Sequence, residues 1–79
     1  MVTEERFAEM FREAVVEVMG EGPPDGVGMD TPLADLHMDS LSQVEVISRL
    51  ESETGVRVPN DRLTGISTPR DLLAVLQAG

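Results

Sequence analysis

The sequence contains no cysteine, no lysine, no tryptophan and no tyrosine, and has only two phenylalanines and one histidine. Without Cys there is neither a disulfide framework nor a thiolate metal site. One His builds no zinc site unless several carboxylates stand at fitting spacing, and the sequence offers no such set. No apolar run approaches the roughly 20 residues of a membrane span. The first residues, Met1-Val2-Thr3-Glu4-Glu5, are acidic where a secretion signal is basic, so the expected location is the cytoplasm. Length is short as well. The 79 residues are read as one domain, 1–79. A domain of this size buries only about 60% of the surface its unfolded chain exposes. It can hold a modest core but not a deep substrate pocket beside it, which argues against a self-sufficient enzyme.

Positive charge is also scarce. Fifteen acidic residues stand against six basic ones, all Arg, for a formal net charge of −9. Such a chain repels nucleic acid and anionic lipid surfaces, so neither is expected as a partner. Macromolecular partners should instead present basic patches. Acidity can accompany disorder, but 41% of the residues are hydrophobic and they fall at regular spacings, which predicts a folded domain.

The spacings predict an all-α fold, a small right-handed bundle of three main helices plus one short helix. Phe7, Met10, Phe11, Ala14, Val15 and Val18 recur at helical period behind a Thr3 cap, and Glu4 and Glu5 suit the positive end of the helix dipole. Glu9, Glu13 and Glu17 form a solvated face. Gly20 ends this helix, and Gly22-Pro23-Pro24 prevents its return. Residues 20–38 then make a long connection with four Gly and three Pro, a length often tied to function. Leu33 and Leu36 should pin it to the core, with a single helical turn opened by Asp30-Thr31-Pro32.

A second helix is expected from Ser40 to Thr54, closed by Gly55. At about 100° per residue, Val46, Ile47 and Leu50 share a core face, while Leu41 points nearly opposite. Val44, Glu45, Ser48 and Ser52 lie near Leu41, giving a second, partly apolar face beside Ser40. Val56 and Val58 should tuck inward. Asn60 is expected to cap a short turn carrying Leu63, with Ile66 beyond it. Thr68-Pro69-Arg70-Asp71 starts the last helix, which carries Leu72, Leu73, Val75 and Leu76. Met10 reads as core filler by its spacing; Met19, Met29 and Met38 are more often filler than a plastic binding surface.

The chemistry centres on Asp39-Ser40-Leu41, where the long loop meets the second helix. With Asp39 as the N-cap, Ser40 falls at the first helical position with a free hydroxyl. A phosphodiester there would lie where helix N–H groups and dipole favour negative charge. The same residues also admit a purely structural reading, because Ser40-Leu41-Ser42-Gln43 has the form of a capping box. A hydrolase triad of His37, Asp39 and Ser40 is a third reading, and the residues argue against it. Nearly adjacent residues at a helix start cannot place the base between acid and nucleophile, and no Gly-x-Ser-x-Gly elbow is present.

The stretch Asp35-Leu36-His37-Met38-Asp39-Ser40-Leu41-Ser42-Gln43-Val44-Glu45-Val46 strongly resembles the phosphopantetheine attachment region of acyl and peptidyl carrier proteins. The resemblance extends to the first helix, Leu33 and Leu36, Leu50-Glu51, Val56-Arg57-Val58-Pro59 and the Thr-initiated last helix. It implies a free-standing, monomeric, non-catalytic carrier. Its covalent cofactor would be 4'-phosphopantetheine, transferred from coenzyme A to Ser40 by a phosphopantetheinyl transferase, with Asp39 beside it. The arm's thiol would hold acyl or aminoacyl groups as thioesters. Asp35, Asp39, Leu41, Val44, Glu45 and Ser48 would be read by partners with basic docking surfaces: an acyltransferase, an adenylating enzyme or a ketosynthase. Two departures matter. His37 stands where the family usually has Gly, a position suited to positive φ, and is read as a solvated loop residue. Gln43, Ser48, Arg49 and Ser52 dilute the acidity of the second helix, favouring polyketide or nonribosomal peptide assembly over fatty-acid synthesis. The rival from another class is an unmodified helical interaction module in which Ser40 is only a cap.

Overall fold

The computed structural model describes residues 2–23 and 26–78, with Asn60 described by its backbone alone. Helix α1 spans Glu4–Met19, α2 Ser40–Thr54, α3 Asn60–Leu63 and α4 Pro69–Ala78, and a 3-10 turn, Leu33–Leu36, interrupts the long connection. The described residues contain no strand. Among the described residues the architecture is therefore three main helices and one short one, as the periodicity predicts.

Each main helix starts and stops for a local reason. Thr3 Oγ accepts the N–H of Arg6 at 3.1 Å, and Gly20 closes α1 at φ +83°. That left-handed geometry carries little steric cost without a Cβ. Gly55 closes α2 in the same way, at φ +74°. At α4 the cap is reciprocal. Thr68 Oγ accepts the N–H of Asp71 at 3.2 Å, while the Asp71 carboxylate accepts those of Ser67 at 3.0 Å and Thr68 at 3.2 Å. Helix α3 begins at Asn60, the residue expected to cap it: Pro59 holds the cap position instead, with no side-chain hydrogen bond there, and the side chain of Asn60 lies outside the described residues. So does Pro24.

The core is built from the predicted stripes. Phe7, Leu50 and Leu72 are fully buried, one from each main helix, and Val46 and Leu76 are nearly so. The rings of Phe7 and Phe11 stack with centroids 5.7 Å apart. Met10 and Met38 are core; Met19 and Met29 are half-buried against it. Val58 is buried and Val56 only partly so.

Leu33 and Leu36 anchor the long connection inside, but backbone hydrogen bonds also tie it to the start of α4. The N–H of Leu33 reaches the C=O of Ser67 at 2.8 Å, and the N–H of Arg70 reaches the C=O of Met29 at 2.9 Å. The second bond satisfies one of the orphan N–H groups at the α4 N-terminus. The Arg70 side chain adds a hydrogen bond to Asp30 at 2.8 Å and an ion pair to Glu4 at 3.6 Å, so one residue joins loop, α1 and α4. The solvated face of α1 is also tied down at one point, where Glu17 pairs with Arg49 of α2.

The caps carry a pH consequence. The backbone N–H groups of Ser67 and Thr68 hold the Asp71 carboxyl below its ordinary value of 3.8. The folded state therefore takes up this proton less readily than the unfolded chain. The cap's contribution is complete above pH 3.8 and is lost as pH falls through the lowered value. Asp71→Asn should accordingly flatten the fall in stability below that pH, measured by urea unfolding at a series of acid pH values. An unchanged pH slope would assign the acid sensitivity to other carboxylates.

Candidate functional site: the N-terminus of helix α2

The approach to Ser40 is suspended between two buried side chains. Leu36 is 5% exposed and Met38 is 6% exposed, while His37 between them is out in solvent. Burying both neighbours and then entering a helix requires the chain to turn sharply at His37. It does so in the left-handed region, at φ 61° and ψ 25°, and His37 is the one non-Gly residue with positive φ among the described residues. A Gly would take this conformation more easily, which accounts for the family's preference at the position; His adopts it at some cost. The imidazole makes no hydrogen bond or ion pair among the described residues, in keeping with a solvated loop side chain.

Asp39 follows in extended conformation and is the N-cap of α2. Its Oδ1 accepts the N–H of Ser42 at 2.7 Å, and its backbone C=O accepts the N–H of Gln43 at 3.0 Å. The Ser42 N–H, and after it the Ser42 hydroxyl, hold the Asp39 carboxyl below its ordinary range, so it stays charged. The capping-box reading of Ser40 is thereby corrected. The cap is Asp39, and Ser40 is the first residue of the helix. Its side chain is exposed, and its hydroxyl takes part in none of the described hydrogen bonds.

Around it, Leu41 is 67% exposed and Val44 49% exposed, the most exposed large apolar side chains among the described residues. Glu45, Ser48 and Asp35 are also exposed. The structure therefore brings Leu41, Val44, Glu45 and Ser48 onto one open face of α2, with Ser40 at its N-terminal edge and Asp35 on the 3-10 turn just before. Asp39 differs from the other acids because its carboxylate is already engaged in the cap. The arrangement suits a covalent anionic attachment. A free hydroxyl stands at a helix N-terminus, no side chain covers it, and an apolar patch adjoins it. Among the described residues, no side chain hydrogen-bonds that hydroxyl.

The sequence reading missed several polar contacts behind this face. Glu51 accepts the backbone N–H of Val58 at 2.6 Å, and Thr54 Oγ accepts that of Val56 at 3.2 Å while donating to the C=O of Leu50 at 2.7 Å. Together they hold the 55–59 connection against α2. Glu51 and Val58 are separated by a helix end and a Gly turn, so no periodicity linked them.

Residues 9–76 match the family described as "Phosphopantetheine attachment site". The meromycolate extension acyl carrier protein of Mycobacterium tuberculosis is 34% identical over 76 residues, which is 96% of this chain. The chain spans 66% of the length of that relative. The acyl carrier protein of Rhodococcus erythropolis is 35% identical over 95% of this chain and 82% of its own length. Among solved structures, the butyryl acyl carrier protein from the actinorhodin polyketide synthase of Streptomyces coelicolor superposes with a TM-score of 0.74 at 33% identity. It covers 99% of this chain and 90% of that one. The chain belongs to the acyl-carrier-protein family. Members of this family carry a covalently attached 4'-phosphopantetheine.

Among the described residues, no helix is long and apolar enough to cross a membrane.

Proposed function

We propose that this chain is a carrier whose attachment residue is Ser40, and that it presents thioester-bound acyl groups to separate biosynthetic enzymes while catalysing no reaction itself. The observation that carries the reading is the exposed, unengaged Ser40 hydroxyl at the first position of α2, inside the family's motif. The residues fit the group. The helix N-terminus favours the phosphodiester charge, and nothing crowds the hydroxyl. When bound, the arm supplies the thiol that this chain lacks, and with it thioester chemistry. The work of the chain's own residues is positional: Asp39 fixes the helix start, and Leu36 and Met38 hold the approach rigid.

Polyketide-type assembly is the favoured setting. Its support is the likeness to an actinorhodin polyketide synthase carrier and the sparse acidity of the α2 face, where Glu45 is the single acid among Leu41, Val44, Ser48 and Ser52. Fatty-acyl extension, as named for the mycobacterial relatives, is the second setting. Incubation with coenzyme A and a promiscuous phosphopantetheinyl transferase, followed by intact-mass measurement, tests the carrier reading: one arm per chain is the expected result. A chain that stays unmodified would instead favour an interaction module.

Partners that reach the arm must dock beside it. Charges at a contact rim mainly steer encounter, while apolar groups at its centre supply more of the binding energy. Glu45→Arg should therefore slow modification or loading in low salt, with the defect shrinking as salt rises. Leu41→Ala should weaken docking with little salt dependence. Rates for both variants across a salt series check this. A salt-insensitive defect for Glu45→Arg would place the basic patch of the partner elsewhere.

A further inference from the structure

The sequence holds no Arg or Lys between Arg12 and Arg49, while Asp35, Asp39 and Glu45 flank Ser40 inside that span. The one side chain there that can become a cation is His37, the only histidine of the chain. The tertiary structure brings no Arg to the Ser40 end of α2. Arg6 pairs with Glu9, Arg49 with Glu17, and Arg70 with Asp30 and Glu4. Arg12 borders a groove between α1 and the loop residues Val27 and Met29. Arg62 borders the cleft between α3 and α4, beside Asp61 and Asp71. Arg57 lines a groove on the face of α2 that carries Ser40, but toward its far end. It shares that groove and a second depression with Ser48 and Glu51, which stand about 12 and 17 Å along the axis from Ser40.

An anion attached at Ser40 meets a helix end whose donors are partly taken. Asp39 Oδ1 holds the Ser42 N–H at 2.7 Å, and the Asp39 C=O holds the Gln43 N–H at 3.0 Å. The Ser42 bonds also keep the Asp39 carboxyl charged. The dipole that favours one negative charge at this end would then serve two, with Asp35 close by in the chain. His37 can supply the missing cation. Its Cα is three residues from that of Ser40, so at most about 10–11 Å away even with the chain extended. The imidazole and a phosphate on Ser40 Oγ each project several ångströms from their own Cα, which brings them within contact range. Leu36 and Met38 are buried, so the imidazole is turned to the solvent that Ser40 also faces. No side-chain contact of His37 among the described residues offsets the cost of its left-handed backbone.

We propose that His37 is a positioning residue for the arm: its protonated imidazole pairs with the phosphodiester on Ser40 and restrains the root of the arm. The inference rests on the carrier reading of Ser40 and adds a contact that a Gly at this position could not make. The pairing is strongest where the imidazole is charged. It weakens as pH rises through the His range, because a neutral imidazole keeps a hydrogen bond but not the charge.

The test uses the full chain with the arm attached from coenzyme A by a phosphopantetheinyl transferase, and with one arm per chain established by intact mass. A phosphodiester has no proton to lose between about pH 5 and 8, and ordinary carboxylates titrate below that range. His37 is therefore the side chain whose protonation can move the phosphorus resonance of the arm there. In the parent, that resonance should shift along a single sigmoid between about pH 5 and 8, with an amplitude that shrinks as salt rises. In His37→Gln it should stay flat, near the high-pH position of the parent. In His37→Lys it should also stay flat, but near the low-pH position, because Lys keeps its charge throughout. A residue that only shaped the loop would not separate Gln from Lys in this way. His37 is exposed, so the variants should keep their fold, with circular dichroism as the check. A flat resonance in the parent, a titration that persists in His37→Gln, or a Lys variant that matches the Gln variant overturns the inference and leaves the carrier reading intact. A chain that accepts no arm at all overturns both.

Discussion

Ser40→Ala should take up no phosphopantetheine while keeping the helical circular dichroism of the parent, and Ser42→Ala should be modified as the parent is. The two hydroxyls are two residues apart but differ in setting. Ser40 is exposed at the first helical position, and its hydroxyl is not engaged by any described group. Ser42 is half-buried, its N–H is held by Asp39 Oδ1 at 2.7 Å, and its hydroxyl lies against the same carboxylate. A transferase has to reach the oxygen that attacks and leave room for the phosphate. Ser40 offers both. Losing the Ser40 hydroxyl should cost little stability, because the cap belongs to Asp39. Intact mass after reaction with coenzyme A gives an all-or-none readout, and peptide mapping locates the site. Modification that persists in Ser40→Ala and vanishes in Ser42→Ala would move the attachment point and undo the proposed assignment.

In the long connection, a large loss of stability is expected at Leu36. It is 5% exposed, and truncation of a fully buried Leu to Ala costs about 2–5 kcal/mol. Leu41→Ala on the open face of α2 should cost no more than about 0.5 kcal/mol, the usual range for surface changes. The contrast checks the helix phase by denaturant unfolding. Equal losses at Leu36 and Leu41 would mean that α2 is rotated from its described orientation and that the docking face lies elsewhere. Leu36 bears on function as well. With Met38 it holds the His37 turn from both sides, so Leu36→Ala should also slow modification of Ser40, under conditions where the protein remains folded. A destabilised variant modified at the parental rate would show that the rigidity of the approach does not matter to the transferase.

Local rules decided much of this protein. The extent of α2, Ser40–Thr54, was set by an Asp cap before it and a Gly after it, both readable from the sequence. Positive φ at His37 was anticipated by comparison with the Gly usual there in the family. The buried and open sides of α2 followed from the spacing of Val46, Ile47 and Leu50 against Leu41 and Val44. These features depend on neighbours within about one or two helical turns, the range over which side chains on a helix interact.

Where the segments meet was decided by tertiary structure alone. Arg70 joins Asp30, Met29 and Glu4 across a gap in sequence that carries no period, and Glu17 pairs with Arg49 from a face that read only as solvated. The same holds for the groove. Helical spacing sets Ser48 and Glu51 one turn apart on α2, but nothing in it brings Arg57 beside them, because Gly55 ends the helix between Glu51 and Arg57. Sequence alone determined the helices, their caps and the exposed serine at the α2 start. Only the packing of Val58 and Leu63 against α2 put a cation and a hydroxyl in one groove on the face that bears Ser40, because contacts between distant segments follow from how whole surfaces fit and not from any local pattern.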